Sequence, residues 1–584
     1  MLKLLRNTRR KERLMALLCL VLVAVQVYFD LRLPDFMSEL TKLIQMGVET
    51  SRIVTVGLKM LGCTFASAAL AVACGFLAAK TASGVSFTIR EKLFHHVMDV
   101  GKEEMQSFSV PSLITRTTND ITQIQMIVAM GMQMIIKAPI MAVWALAKIL
   151  NKSWQLSAVT AAFVVVICAT ILSVMSVCLP RFRLVQKLTD KINRVARENL
   201  TGISVVHAFH AEQYQNQKFD VPSKEMMDLQ MKNQRLFAMI QPVMGLGMNG
   251  LTLVIYWLGA ALLNAIPVAN MQERVTMFGD VTVFSTYAMY IVMSFMMLVM
   301  IFMLLPQAQV SAERINEVLA SQASIREGTV RAGTQTGTVE FKNVSFRYPG
   351  ASEDELTNVS FRVQQGQTLA IIGATGSGKT TLISLIPRFY DATRGEVLID
   401  GVNVKDYAFD ALYDKLGYVT QKAILFAGSI EENVFFGESA AAHDTASLND
   451  AIALAQAEEF VEKLPDGAQH HVAQLGRNMS GGQKQRLSIA RALARKPEIL
   501  IFDDSFSALD YRTDAMLRAG LNEKLHDTTK IIVAQRISTI RHADQIIVLE
   551  RGEAVGIGTH EELMRDCAVY REIATSQLSA AELA

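Results

Sequence analysis

The sequence predicts an all-α membrane domain with six spans, followed by an α/β domain in which a glycine-rich loop joins a strand to a helix. Three observations support this division. The chain of 584 residues is too long for one hydrophobic core. Its hydrophobic fraction is 51% and its mean hydropathy is +0.26, with the apolar excess before about residue 305. Farther on, an apolar run at 368–372 and a helix-like segment at 381–386 flank Gly373-Ala374-Thr375-Gly376-Ser377-Gly378-Lys379-Thr380.

Six apolar runs approach or exceed the roughly 20 residues that a helix needs to cross a bilayer. They cover residues 14–33, 53–79, 124–150, 156–179, 239–264 and 281–305. Six spans place both termini on the same side of the membrane. The segment before the first span is strongly basic, since it contains Lys3, Arg6, Arg9, Arg10, Lys11 and Arg13. The positive-inside rule therefore predicts a multi-pass protein of the cytoplasmic (inner) membrane with both termini in the cytoplasm.

The loops after the second and fourth spans are long and basic, and their apolar residues recur with helix periodicity. We therefore expect them to lie in the cytoplasm and spans two to five to continue as helices beyond the bilayer. The pattern breaks at Pro111-Ser112 in the first loop and at Gly202 in the second. These breaks predict short transverse segments at 112–119 and 205–216. A solvated loop is the alternative for each.

The sixth span is rich in methionine and phenylalanine: Met289, Met293, Met296, Met297, Met300 and Met303, with Phe284, Phe295 and Phe302. Thioether side chains adapt to apolar groups of different shape, so this composition favours a cavity for hydrophobic or amphipathic small molecules. Ordinary packing against other helices or the lipid bilayer explains it equally well.

Charge and cysteine content argue against other kinds of partner. The formal net charge is only +2 and no basic face dominates, so nothing indicates a nucleic-acid partner. Five of the six cysteines lie inside long apolar runs: Cys19, Cys63, Cys74, Cys168 and Cys178. Their spacing matches neither a disulfide framework nor a metal site.

The segment 306–337 starts with charged, helix-forming residues and then becomes rich in glycine, which predicts a linker between domains at 1–305 and 338–584. In the second domain the glycine-rich loop has the pattern G-x-x-x-x-G-K-T. Its glycines let backbone N–H groups surround phosphate oxygens, Lys379 adds positive charge, and Thr380 offers a hydroxyl to Mg²⁺. Together with Thr381, these residues predict a nucleoside triphosphate site.

Two further segments suit the same chemistry. The run Ile499–Asp503 is an apolar strand that ends in a carboxylate, which is the Walker B arrangement for holding Mg²⁺ directly or through water. The sequence Ser480-Gly481-Gly482-Gln483 precedes an apolar-periodic segment, so its glycines open a helix and create a second anion site.

These motifs identify a family. Ser480-Gly481-Gly482-Gln483 resembles the signature of ABC proteins, and six spans before one nucleotide-binding domain resemble a half-transporter of the ABC exporter family over essentially the whole chain. The resemblance implies ATP and Mg²⁺ as cofactors, adenine stacking on Tyr348, and a Q-loop glutamine at Gln421 that senses Mg²⁺. It also implies coupling helices near 112–119 and 205–216. Because the family's signature closes over ATP held by a partner, it implies a dimer.

The signature is nearly intact, with only Met479 where leucine is usual, but two positions of the hydrolytic site depart from the family pattern. Asp504 follows Asp503 where a catalytic glutamate is expected, and Gln535 stands where a switch histidine is expected. The shorter carboxylate has difficulty reaching an attacking water, and glutamine cannot become cationic. We therefore expect this chain's own site to bind ATP well and to cleave it slowly, so that full ATPase activity requires the partner chain.

The intact signature beside this altered site resembles the degenerate subunit of heterodimeric bacterial multidrug exporters. The resemblance implies ATP-driven export of hydrophobic or amphipathic small molecules, together with a second, different half-transporter. One alternative is a homodimeric lipid or peptide exporter. Another is a non-hydrolysing ATP-gated sensor or channel subunit, which Asp504 and Gln535 would suit. The six spans exclude soluble ABC proteins.

Overall fold

The computed structural model describes residues 4, 8–150, 153–437 and 443–578. The chain divides into two compact units. The first contains Met1–Met98 and Val110–Ala320, and the second contains Asp99–Ser109 and Ser321–Ala584. The second unit therefore includes a short segment from the first long loop, which the sequence had assigned to the membrane domain.

Helices make up the N-terminal part of the chain. In order they are α1 (Arg10–Gln45), α2 (Thr50–Asp99), α3 (Lys102–Ser107), α4 (Val110–Thr115), a π-helix (Arg116–Asp120), α5 (Ile121–Leu150), α6 (Trp154–Thr201), α7 (Ile203–Ala208), α8 (Glu212–Asn264) and α9 (Met271–Ala320). Among the described residues, six helical segments are long and apolar enough to cross a membrane, counting Val110–Leu150 as one. The predicted six-span architecture is confirmed.

The long loops after the second and fourth spans are mostly helix. Helix α8 has 53 residues, which corresponds to about 80 Å at 1.5 Å per residue and far exceeds a bilayer. In the first loop the helix breaks lie around Gly101 and Ser109, and Pro111 occupies the first turn of α4, where a missing N–H costs nothing. The segment 112–119 thus continues into the third span, whereas 205–216 covers most of α7 and the start of α8.

Ion pairs and a buried tyrosine join α1 to α5 and α9. Lys148 and Lys137 of α5 pair with Asp35 and Asp30 of α1 at 2.7 and 3.0 Å. Tyr287 of α9 is fully buried, and its hydroxyl lies 2.8 Å from the Leu31 carbonyl oxygen and 2.8 Å from an Asp35 carboxylate oxygen. Charged groups are costly inside an apolar bundle unless they are paired, and these partners supply that compensation.

The segment predicted as a linker is partly helical. Residues 306–320 continue the sixth span, because α9 ends at Ala320. The residues from Ser321 onward belong to the second unit, where Val330 forms an isolated β-bridge with Tyr407 and the Gly328 N–H donates to the Tyr407 carbonyl oxygen. Gly333 lies so close to Asp400 that an added Cβ would meet the Asp400 Cβ at 2.3 Å.

The second unit contains twelve described strands: β1 (Val339–Phe346), β2 (Leu356–Val363), β3 (Thr368–Gly373), β4 (Arg394–Ile399), β5 (Val402–Asn403), β6 (Leu416–Val419), β7 (Gly428–Ser429), β8 (His471–Val472), β9 (Ile499–Asp503), β10 (Thr529–Val533), β11 (Gln545–Glu550) and β12 (Glu553–Gly558). One antiparallel sheet has the order β2-β1-β4-β5, and a small one pairs β7 with β8. The main sheet has the order β12-β11-β3-β10-β9-β6 and is parallel except for β12.

Helices cover this sheet. They are α10 (Lys379–Ser384), α11 (Phe409–Asp414), α12 (Ile430–Val434), α13 (Thr445–Leu454), α14 (Glu458–Glu462), α15 (Gly481–Ala494), α16 (Tyr511–Lys524), α17 (Ile537–Ile540), α18 (His560–Asp566) and α19 (Ala568–Gln577), with 3₁₀ turns at Gly467–Gln469 and Gln474–Gly476. Leu369 and Ile371 of β3 join one hydrophobic cluster, and Ala370 and Ile372 join the other. Both faces of the sheet are therefore buried, as is typical of apolar parallel strands. The polar candidate site residues follow the ends of these strands.

Candidate nucleotide-binding site

The predicted phosphate loop connects β3 to α10. Gly373 ends the strand, Lys379 begins the helix, and the residues Ala374, Thr375, Gly376, Ser377 and Gly378 form the turn between them. At Gly373 an added Cβ would meet the Leu549 carbonyl oxygen at 2.1 Å. Gly378 has a φ of +94°, which favours glycine. The loop can thus turn tightly and present its backbone to a ligand.

Ser377 shows that this loop fits a phosphate group. The residue is only 4% exposed, and its hydroxyl has no hydrogen-bond partner within the described residues. A buried polar atom without a partner is uncommon, and a phosphate oxygen would satisfy it. The neighbouring N-terminus of α10 adds backbone N–H groups, so the loop suits the phosphates of a nucleotide.

Lys379 is folded over its own loop. Its ammonium donates to the carbonyl oxygens of Gly373 and Ala374 at 2.8 and 2.7 Å. Burial lowers the pKa of Lys379, while the nearby carboxylates of Asp504 and Asp503 oppose this effect. A phosphate would replace weak carbonyl contacts with charge-assisted ones.

The candidate Mg²⁺ ligands converge because β3 and β9 are parallel strands of one sheet. The Thr380 hydroxyl donates to the Asp503 carboxylate at 3.0 Å. Burial raises the pKa of Asp503, and the charge of Asp504 adds to this shift. A divalent cation here would compensate the buried carboxylate. The described residues contain no cluster of three or more His, Cys, Asp or Glu suited to a metal.

Asp504 and Gln535 contact each other directly. The Gln535 amide donates to Oδ2 of Asp504 at 2.7 Å, and the Gln421 amide approaches the same oxygen at 3.4 Å. Asp504 has a φ of +46°, and its backbone N–H donates to the Val533 carbonyl oxygen at the end of β10. The structure thus places Gln421 beside Asp504, and no hydrogen bond within the described residues links it to Thr380 or Asp503.

Tyr348 lies beside the helix that follows the phosphate loop. Its hydroxyl is 2.9 Å from the Thr381 hydroxyl, and its ring packs edge-on against Phe346 and Tyr390 with centroids 4.9 and 5.4 Å apart. The ring is half-buried, which leaves part of it free to stack on a base. The contact with Thr381 fixes it relative to the phosphate loop.

The signature residues occupy another place on the unit. Ser480 caps α15: its hydroxyl accepts from the Gln483 N–H at 3.3 Å, and its own N–H donates to the Gln483 side chain at 2.8 Å. Ser480 and Gly481 are exposed and Gly482 is half-exposed. Because capping uses the hydroxyl only as an acceptor, its proton remains available for an external oxygen. Within the described residues, no hydrogen bond joins the signature to the phosphate loop.

Comparison with known proteins agrees with this geometry. The family described as "ABC transporter" matches residues 356–507, and the one described as "ABC transporter transmembrane region" matches residues 16–295. An uncharacterized ABC transporter ATP-binding protein of Mycobacterium tuberculosis is 37% identical over 99% of this chain and 98% of that protein. The chain belongs to the ABC transporter family.

Other similar proteins extend this comparison. An uncharacterized ABC transporter ATP-binding protein of Bacillus subtilis is 35% identical over 97% of this transporter and 96% of its own length. An ATP-dependent lipid A-core flippase of Xanthomonas oryzae pv. oryzae is 33% identical over 85% of this chain and 82% of that protein. The solved structure of a bacterial Atm1-family ABC exporter with ATP bound shares the fold, with a TM-score of 0.77 and 23% identity over 97% of this chain and 99% of that chain.

Sequence reasoning missed one residue near the ATP site of this transporter. Lys102 of α3 lies in the first long loop, for which the sequence indicates only a basic character. Its ammonium lies 5.3 Å from the Phe389 ring centroid and 5.5 Å from that of Tyr390, which in turn packs against Tyr348. The Glu104 carboxylate also accepts from the Ser324 N–H at 2.7 Å. A lysine in a basic loop gives no sequence signal for such a contact.

Proposed function

We propose that this ABC transporter is one half of a dimeric exporter that uses ATP to move hydrophobic or amphipathic small molecules out of the cytoplasm, and that its own ATP site hydrolyses slowly. The basic N-terminus supports an inner-membrane orientation with both termini in the cytoplasm. The contact between Asp504 and Gln535, at 2.7 Å, is the observation that carries the proposal of slow hydrolysis.

Asp504 is poorly suited to act as the general base. Its side chain is one methylene, about 1.5 Å, shorter than the glutamate that the family resemblance implies. Both Gln535 and Gln421 point their amides at its Oδ2, which holds the carboxylate back near the sheet. A displacement of about 1 Å from the reacting water costs about a hundredfold in rate. Gln535 remains neutral and cannot place a positive charge on the phosphate.

The signature supports a second ATP site, on the partner chain, that hydrolyses faster than this one. Ser480 is exposed at a helix N-terminus and keeps a hydroxyl proton to donate. We infer that such a group serves the ATP of a second chain, as the family resemblance implies; within the described residues no hydrogen bond joins it to this chain's own loop. An intact signature together with an altered hydrolytic site favours a heterodimer, in which the partner's Walker motifs perform most of the hydrolysis.

The sixth span supports a hydrophobic substrate. Met289, Met293, Met296 and Met300 are all exposed, between 40% and 43%, and their spacing places them on one face of α9. The opposite face carries buried residues such as Tyr287 and Ile291. A stripe of flexible thioethers suits molecules of varied shape. Lipid is a second candidate substrate, favoured by the similarity to the Xanthomonas flippase.

Two short segments are proposed to transmit ATP-driven movement. The segment 205–216 keeps the coupling role that the resemblance implies. The coupling role expected of 112–119 is instead proposed for α3, because Asp99–Ser109 belongs to the second unit. Within that segment Lys102 contacts the rings of Phe389 and Tyr390, and Glu104 accepts from the Ser324 N–H.

Purification and reconstitution would test the function. The tagged chain is isolated from its native membrane and the copurifying proteins are identified. We expect a second, different ABC half-transporter in equal amount, and ATP-dependent transport of hydrophobic dyes in vesicles containing both chains. Isolation of a homodimer that moves fluorescent lipid but not dyes would support the lipid alternative. ATP binding without flux of any of these compounds would support the sensor.

A further inference from the structure

A cavity of ≈ 230 Å³ lies in the second unit at the amino ends of β3 and β10. Thr368 and Ala370 of β3 line one side, Lys530 and Ile532 of β10 line another, and α16 and α17 close it. The phosphate loop follows the carboxyl end of β3. The cavity is therefore at the opposite edge of the sheet from the candidate ATP site.

Lys530 is the unusual residue in this cavity. It is only 3% exposed, and it lies on the same face of β10 as Ile532. Within the described residues its ammonium has no hydrogen bond and no ion pair. Burial lowers the pKa of Lys530, and the more distant charge of Asp544 only partly opposes this. Its ammonium faces the cavity that Lys530 lines, where a small anion can reach it and compensate its charge.

The two carboxylates near the cavity are already engaged. Asp514 accepts hydrogen bonds of 2.9 and 3.2 Å from Arg518. Asp544 accepts from the Thr368 N–H at 2.7 Å. Arg518 itself is held further by the Ser538 carbonyl oxygen at 3.1 Å. Lys530 therefore lines the cavity as a cationic side chain, while Asp514 and Asp544 are engaged by Arg518 and by the Thr368 N–H.

We propose that this cavity is a second anion site, in which Lys530 binds inorganic phosphate or a similar small oxyanion. His542 and Asn522, both exposed at its rim, are placed to add hydrogen-bond donors. The site is separate from the ATP site and does not depend on the proposed transport function. Helix α16 begins directly after Asp510, and α17 begins two residues after Gln535. An anion in the cavity would therefore stabilise two helices that lie close in sequence to Asp504 and Gln535.

Thermal unfolding of the full-length protein tests the proposal. A non-hydrolysable ATP analogue and Mg²⁺ occupy the phosphate loop throughout, and chloride keeps the ionic strength constant while phosphate is added. Phosphate is expected to raise the midpoint of the wild type and of Lys524→Met, a control that removes an exposed lysine from α16. The midpoint of Lys530→Met is expected not to respond. Equal responses of wild type and Lys530→Met would overturn the proposal.

A second measurement needs no variant. Lysines of the wild type are labelled with acetic anhydride with and without phosphate, and the acetylation of each is quantified by mass spectrometry. Phosphate at its Kd should slow acetylation of Lys530 by about twofold, since half of the sites are then occupied. Lys524 should be unaffected. Acetylation of Lys530 that does not change at any phosphate concentration would show that the anion does not bind there.

Discussion

Gln535 donates a 2.7 Å hydrogen bond to the carboxylate of Asp504, so the two residues that depart from the family pattern form one contact. A pair in contact acts as a unit, and changes at its two positions are not expected to add independently. The proposed slow hydrolysis would thus have a specific structural cause: a short carboxylate held by a neutral amide.

Restoring both side chains should accelerate this site. We expect the double variant Asp504→Glu with Gln535→His to increase hydrolysis by up to about a hundredfold, because the longer carboxylate reaches the water and histidine can carry charge. Each single variant should lower the activation free energy of hydrolysis by less than half as much as the double variant does. The measurement is ATPase activity of complexes whose partner lacks its catalytic carboxylate. A double variant as slow as the parent would refute this explanation.

The signature should matter more than this chain's own carboxylate. Ser480→Ala is expected to reduce steady-state ATPase activity of the heterodimer by about a hundredfold, because one donor to the charge that develops on the partner's ATP is lost. Asp504→Ala should reduce it only a few-fold. The opposite order, with Asp504→Ala inactive and Ser480→Ala active, would mean that Asp504 is a working base.

Lys379 should control ATP binding on this chain. Lys379→Ala is expected to weaken binding at this site by at least tenfold, because a charge-assisted contact to phosphate is lost. Labelled ATP and photo-crosslinking to this chain measure its occupancy. Lys342→Ala, which removes a half-exposed lysine of β1, is the matched control. Unchanged occupancy in Lys379→Ala would disprove the assignment.

The exposed methionine stripe should influence substrate choice. Met293→Glu is expected to change the relative rates at which chemically different hydrophobic dyes are transported, because a charge is introduced on the apolar face of α9. Assembly and ATP binding should remain, since Met293 is 43% exposed. Identical relative rates for all dyes in the variant and the wild type would indicate that the stripe only packs against lipid or protein.

Tyr287 should stabilise the membrane unit through its hydroxyl. Tyr287→Phe is expected to cost about 1–3 kcal/mol, because the Leu31 carbonyl and the Asp35 carboxylate lose a buried partner. Tyr290→Phe on the same helix is the control, since its hydroxyl makes no hydrogen bond within the described residues. Thermal unfolding in detergent compares the two. Equal midpoints would show that the Tyr287 hydrogen bonds contribute little.

Some boundaries were predicted less well than the elements themselves. The helix of the third span begins at Val110, well before the apolar run 124–150, and the break predicted at Pro111-Ser112 is absent because proline is accommodated in a helix's first turn. The sixth helix runs from Met271 to Ala320, which extends past the apolar run 281–305 and into the charged residues expected to form helix at the start of 306–337. Helix ends depend on capping and on packing of neighbouring segments, which the apolar pattern does not record.

The sequence by itself determined the six spans and the phosphate loop. Both are local properties: the length of an apolar run decides whether a helix can cross a bilayer, and glycines at fixed spacing allow the loop to turn. Tertiary structure alone decided which distant residues meet. Tyr287 and Asp35 are 252 positions apart, and Gln535 and Asp504 are 31 apart. Lys530 likewise became notable only because the carboxylates of Asp514 and Asp544 are engaged by other groups. Such contacts depend on how helices and strands pack, and a pattern in one stretch of chain does not encode them.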